Sequence, residues 1–311
     1  GPEEVSIPDS YNWLKDAMIA DRKMMLRADA IRAALLIVAG AVSVWLFISE
    51  KLKVLSLMAI LSFLFLIDLI PVDARFLNGA NYRNGKEIRN TLAPTIADKA
   101  ILEDKSHFRV LNLTVSVFND ASTSYYHKSI GGYHGAKLKR YQELIESSLS
   151  GEITALVTRL QSATTISDAE NALEHSNAMN FLNTKYIILS PDSPPLTNRY
   201  AMGNAWFVEK TTIVENADAE LEMIRSIDPL KEAVADRRFA DLVTIPESMP
   251  GTNDTIYLSA YQPNLLEYNS VTSKERIAVF SEIYYQYGWK AFIDDIPADH
   301  FRADYVLRAM A

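Results

Sequence analysis

AALLIVAGAVSVWLFIS (33–49), EKLK (50–53) and VLSLMAILSFLFLIDLI (54–70) decide how the chain is read: two apolar runs of 17 residues, separated by four mostly charged ones. Each run is close to the lower end of what spans a bilayer core as a helix, about 17–25 residues. A buried helical hairpin of a soluble protein is the competing reading, but two such runs joined by so short a charged turn favour a transmembrane hairpin. A secretory signal is excluded, because it would be a single shorter apolar core near the start with a small-residue cleavage site. Asp68 is the one charge inside either run. It is read as an intramembrane carboxylate with a function, or as a hydrated residue at the helix end, and its place within a turn of Pro71 favours the second.

Outside the hairpin the composition is that of a globular protein. Apolar residues make up 49% of the chain, and roughly 240 residues follow Pro71, enough for a sizeable core and two subdomains. A net charge of −8 gives no basic footprint, so nucleic acid is not an expected partner. With no cysteine, neither a disulfide framework nor a thiolate metal site can form.

Before the hairpin, residues 1–32 read as a polar lead followed by a juxtamembrane helix from Tyr11, with Asp9 or Ser10 as N-cap and Leu14, Met18 and Met25 among its apolar positions. This helix either lies at the membrane surface or packs on the soluble domain. Lys51 and Lys53 in the turn place it in the cytoplasm by the positive-inside rule, and so place the large C-terminal domain outside.

Residues 71–104 read as a turn-rich neck. The expected fold class is α+β, with the hairpin followed by an α/β subdomain over 105–250 and a β-sandwich-like subdomain over 251–311. In the first, strands are expected at 108–117, 185–189 and 203–214. Helices are expected from Gly135 onward, then with Ile153, Leu156, Val157 and Leu160 on one face, then from a Ser167/Glu170 capping box toward Met179, and near 217–226. In the second, short runs at 255–261, 265–270, 276–284, 289–293 and 305–309 alternate with turns.

The stretch SYYHKSIGGYHGAKLKR (124–140) is the one that suggests a binding site. Tyr125, Tyr126, His127, Lys128, Tyr133 and His134 gather around Gly131 and Gly132, with Lys137 and Arg140 a turn apart beyond them. Glycines at a helix N-terminus let backbone N–H groups approach an anion, and tyrosine faces stack on sugar rings. A sugar phosphate or glycan suits such a surface; a plain turn and helix start is the alternative. No HExxH spacing supports a metal at His127 and His134, and no GxSxG elbow or P-loop ending is present.

The hairpin followed by DLIPVDARFLN, then SYYHKSIGGYHGAKLKRYQELIE, LNTKYII, GNAWFV, AVFSEIYYQYGWKAFIDD and RADYVLRAM resembles the C-terminal part of bacterial YfhO-like membrane proteins, of the Bacteroidetes type. The resemblance covers nearly the whole chain. It implies a multi-pass protein of the cytoplasmic membrane, similar to GT-C glycosyltransferases, that uses polyprenyl-phosphate sugars to modify cell-envelope glycans or lipids. The bilayer, the lipid-linked sugar and a glycan acceptor are then the implied partners, and no cofactor is implied. The acidic catalytic residue of such enzymes lies in the first outer loop, upstream of these 311 residues, so catalysis within this chain is left open. A non-catalytic envelope module that binds polysaccharide or a partner protein is the alternative function. The resemblance also implies a strand beyond RADYVLRAM, so that this last strand is expected at an unpaired edge.

Overall fold

The computed structural model describes residues 11–243, 251 and 253–311. The chain is mixed α+β and divides into two compact units, residues 1–91 and 92–311. Asp9 and Ser10, expected as caps, lie outside the described residues.

In the first unit, α1 (Asn12–Ile48) and α2 (Val54–Phe76) form an antiparallel pair. Both are long and apolar enough to cross a membrane, and 6% and 0% of the residues in their most apolar windows are buried. The expected break between a juxtamembrane helix and the first span is absent: α1 runs without interruption for 37 residues. At ~1.5 Å per residue it is about 55 Å long, well beyond the ~30 Å of a bilayer core. Helix α2 likewise continues through Pro71, where the neck was expected to begin. Proline there removes one backbone donor from the helix. Near this end of the pair four charges meet. Arg32 lies 3.4 Å from Asp68 and 3.8 Å from Asp29, and Arg75 lies 3.5 Å from Asp29. Asp68 is thus an ion-pair partner of the neighbouring helix at the polar end of the apolar runs. A short α3 (Gly85–Thr91) closes the unit.

The rest of the supposed neck belongs to the second unit. Its α4 (Ile96–Glu103) begins at a capping box in which Thr95 Oγ1 accepts from the Asp98 N–H, and Asp98 Oδ2 accepts from the Thr95 N–H. Ala97 and Ile101 are buried from this helix. Strand β1 (Arg109–Asn112) runs parallel to β2 (Thr184–Ile188), and β3 (Leu196–Thr197) adds antiparallel to β2. Between β1 and β2 a loop with one 3-10 turn (Ser122–Tyr125) leads into helices. The helix expected from Gly135 onward and the one expected to carry Ile153, Leu156, Val157 and Leu160 are one continuous rod: α5 (Lys139–Leu144), a π-helical turn (Ile145–Leu149) and α6 (Ser150–Ser162). Leu144, Ile145, Leu149 and Leu156 line its buried face. Helices α7 (Ile166–Asn171) and α8 (Asn177–Phe181) follow. The capping box of α7 is Thr165 with Asp168, two residues earlier than the expected Ser167/Glu170 pair.

Next come β4 (Ala205–Val208), β5 (Lys210–Val214), α9 (Ala217–Met223) and β6 (Glu232–Asp236); β5 and β6 pair in parallel across α9. A hairpin of β7 (Thr255–Gln262) and β8 (Leu265–Val271) precedes β9 (Ile277–Ile283), a small hairpin of β10 (Ala291–Ile293) and β11 (Ile296–Ala298), then β12 (His300–Ala303) and β13 (Leu307–Met310). The main sheet has the order β12-β13-β9-β4. Two expectations give way here. A separate C-terminal sandwich is not what forms, because β9 takes β4, from before residue 250, as its partner and one hydrophobic core joins Trp206 and Val208 to Val279, Phe301 and Leu307. The last strand, expected at an open edge, lies inside the sheet between β12 and β9.

Candidate functional site

The 124–140 stretch is built onto the free edge of β1. The Val110 N–H donates to the Lys128 carbonyl at 2.8 Å and the Ile130 N–H to the Val110 carbonyl at 3.1 Å, a short parallel bridge that fixes where each side chain around it points. From this base the eight expected site residues divide into four groups.

Tyr125, Tyr133 and His134 are exposed, the two tyrosines at 59% and 69%. Tyr125 packs edge-on against Tyr126 with ring centroids 4.9 Å apart. Tyr126 and His127 are anchors. The Tyr126 hydroxyl donates to the Leu92 carbonyl at 2.5 Å, and His127 is buried with Nε2 on Asp98 Oδ1 at 2.8 Å. Asp98 therefore serves two purposes, capping α4 with one oxygen and holding His127 with the other. Burial alone would raise its pKa, but the Thr95 hydrogen bonds and the His127 contact outweigh that and hold it below the usual carboxylate value.

Lys137 and Arg140 contact other aromatic rings. Lys137 Nζ is 5.9 Å from the centre of the Phe118 ring, while Arg140 stacks on Tyr305 at 4.6 Å and lies 3.7 Å from the buried Glu220. The glycines have a packing role as well. A Cβ on Gly131 would sit 2.0 Å from the Val117 carbonyl oxygen, and Gly132 has φ +105° while its N–H donates to that same carbonyl at 2.8 Å. The helix starts at Lys139 rather than Gly135, after an extended Leu138 with no side-chain cap. The expected cradle of glycine N–H groups at a helix N-terminus is thus replaced by a glycine turn packed on Val117.

Lys128 leads to residues that the sequence reading did not connect with it. Its Nζ hydrogen-bonds His107 Nδ1 and sits 3.4 Å from the centre of the Tyr261 ring. The same His107 ring stacks on Tyr261 with centroids 3.8 Å apart, and its Nε2 meets Glu282 Oε1 at 3.1 Å. With Lys128 donating to Nδ1, the proton of the neutral ring lies on Nε2 and is donated to Glu282. The backbone of His107 is held by Asn183 and Asn204, whose Nδ2 atoms donate to its carbonyl at 2.9 and 2.8 Å. Beneath the row, Arg109 Nη1 donates to the carbonyls of Leu182 and Ser281 at 2.6 and 2.7 Å. Burial pushes Glu282 up, but the His107 hydrogen bond and the charges of Arg109 and Lys128 outweigh it, so its pKa lies below the ordinary carboxylate value. Burial also lowers the pKa of Lys128; Glu282 opposes that and Arg109 adds to it.

His107 and Glu282 are 175 residues apart, and Tyr261 comes from the β7–β8 hairpin. No local spacing could reveal such a set. Chemically the row can pass a proton between a lysine amine and a carboxylate through an imidazole. Among the described residues, no three His, Asp or Glu side chains come together in a way that could hold a metal ion. No family model matches the chain, and neither a curated protein nor a solved structure is significantly similar to it.

Proposed function

We propose that this chain is the membrane-anchored, extracytoplasmic region of a lipid-linked-sugar glycosyltransferase, and that its second unit holds a sugar-bearing substrate for modification of cell-envelope glycans or lipids. The observation that carries this reading is the exposure of Tyr125, Tyr133 and His134 on a loop whose neighbours Tyr126 and His127 are tied down. Exposed aromatic faces on a rigid base bind sugar rings at low entropic cost, because little order remains to be imposed on binding. Two apolar helices with almost no buried residues support the membrane anchor. The orientation rests on Lys51 and Lys53 in the turn, and the sugar class on the resemblance to YfhO-like proteins.

One observation favours the non-catalytic alternative. Asp98 and Glu282, the carboxylates nearest the tyrosine–histidine part of the stretch, are each engaged by an imidazole. The exposed residues Tyr125, Tyr133 and His134 themselves offer stacking and hydrogen-bonding contacts, as a binding module would. The test is binding of the detergent-solubilised chain to envelope polysaccharide and to vesicles carrying a polyprenyl-phosphate sugar. Tyr133→Ala and His134→Ala should weaken binding at least tenfold while changing stability by less than about 1 kcal/mol, as for other exposed positions. Unchanged binding by both variants rejects the site. Binding to polysaccharide alone selects the non-catalytic module.

A further inference from the structure

The row Lys128–His107–Glu282 has the connectivity of an activated nucleophile: an attacking group, an imidazole bonded to it, and a carboxylate on the far ring nitrogen. We propose that Lys128 is a nucleophilic amine, activated through His107 and Glu282, that captures an aldehyde carbonyl as a Schiff base. The inference does not rest on the function proposed above.

Each part of the geometry has a task in that chemistry. Lys128 is exposed as a residue, so a carbonyl compound can reach it, yet its ammonium is confined between the Tyr261 face and the His107 ring. His107 can take the ammonium proton on Nδ1, and the imidazolium so formed is stabilised by Glu282, which already accepts from Nε2. Glu282 is held below its ordinary pKa against burial by the His107 hydrogen bond and by Arg109, which is fixed by two backbone carbonyls and cannot swing away without breaking both bonds. The lysine's own pKa is displaced downward by burial, in the direction that favours the free amine.

The step balances without a further reagent. Lys128 gives one proton to His107, and its lone pair then forms a C–N bond to the carbonyl carbon. A second amine proton moves to the carbonyl oxygen to give a carbinolamine. His107 returns its proton to that hydroxyl, the C–O bond breaks, water leaves, and a protonated imine remains on Lys128. A lysine held only as a structural cation over Tyr261 would show the opposite behaviour, since stabilising its ammonium makes the amine less reactive.

The experiment is reductive alkylation of the full chain in detergent at pH 7, with propionaldehyde as the probe and cyanoborohydride to trap the imine. Rates at individual lysines are read by peptide mass spectrometry. Lys139, whose side chain is 90% exposed, serves as the internal reference. Lys128 should be modified at least tenfold faster than Lys139 in the unaltered chain, and His107→Gln and Glu282→Gln should each bring it down to the reference rate without affecting Lys139. Modification of Lys128 at or below the reference rate overturns the proposal, and it needs no variant to fold. Fast modification that survives in folded His107→Gln and Glu282→Gln chains overturns the relay.

Discussion

Asp304→Asn should raise the stability of the second unit at pH 8 and remove a large part of its pH dependence. Asp304 sits in the three-residue link between β12 and β13, is fully buried, and has φ 47°, a left-handed conformation that Asn also tolerates. Its Oδ1 accepts from the Val234 N–H at 2.9 Å and its own N–H donates to the Val234 carbonyl at 2.8 Å; Oδ2 has no partner. Burial pushes its carboxyl up to about 7 from 3.8; the Val234 hydrogen bond opposes this, and the nearby Glu220 and Glu232 add to it. The folded chain therefore holds this proton where the unfolded chain has lost it. Its contribution is fully present below about pH 4 and falls away as the pH rises to about 7. A difference of roughly three pH units at about 1.4 kcal/mol each makes the loss about 4 kcal/mol. Asn keeps the Oδ1 acceptor and carries no charge, so the variant should gain most of that amount at pH 8 and little at pH 4. Denaturant unfolding of the chain in detergent, followed by tryptophan fluorescence from pH 4 to 8, measures it. Parallel stability profiles for the two chains across that range would refute the reasoning.

Two further substitutions test the base of the proposed site. Gly131→Ala should cost 3 kcal/mol or more, on the order of the worst overpacking changes, because the new Cβ would meet the Val117 carbonyl at 2.0 Å; Gly135→Ala has open space around it and should be nearly neutral in the same unfolding assay. His127→Ala should cost about 1–3 kcal/mol by leaving Asp98 without its buried partner, and a loss as small as that of Tyr133→Ala would remove His127 from the anchoring role.

The helical hairpin was legible because its signal is local: two long apolar runs with a charged turn need no partner to be recognised. Strands with strong β-branched or apolar character, such as β2 and β9, were legible for the same reason. Their partners were not. Strand β9 pairs with β4 and β13, a choice made by a sheet that draws on both sides of residue 250, and the short polar β12 gave no strand pattern to suggest that β13 would be covered. At α7 two overlapping Ser/Thr-x-x-acid pairs were available, and only the observed hydrogen bonds single out Thr165 with Asp168. The 124–140 stretch was legible as unusual but not as divided. Whether a tyrosine is exposed or tied to Leu92, or a histidine faces solvent or Asp98, depends on residues tens of positions away. The Lys128–His107–Glu282 row joins the lead into β1, β9 and an edge bridge and left no pattern along the chain.

Cysteine labelling in intact cells tests the membrane-anchored, outward-facing arrangement most directly, since the chain has no cysteine of its own. Ser49 ends α1 at the hairpin turn, and Ser273 is an exposed position of the second unit just after β8. A membrane-impermeant thiol reagent should modify a cysteine at Ser273 and leave one at Ser49 unmodified until the cells are opened. Labelling of Ser49 with protection of Ser273 would reverse the orientation, and protection of both until lysis would contradict the outward-facing domain altogether.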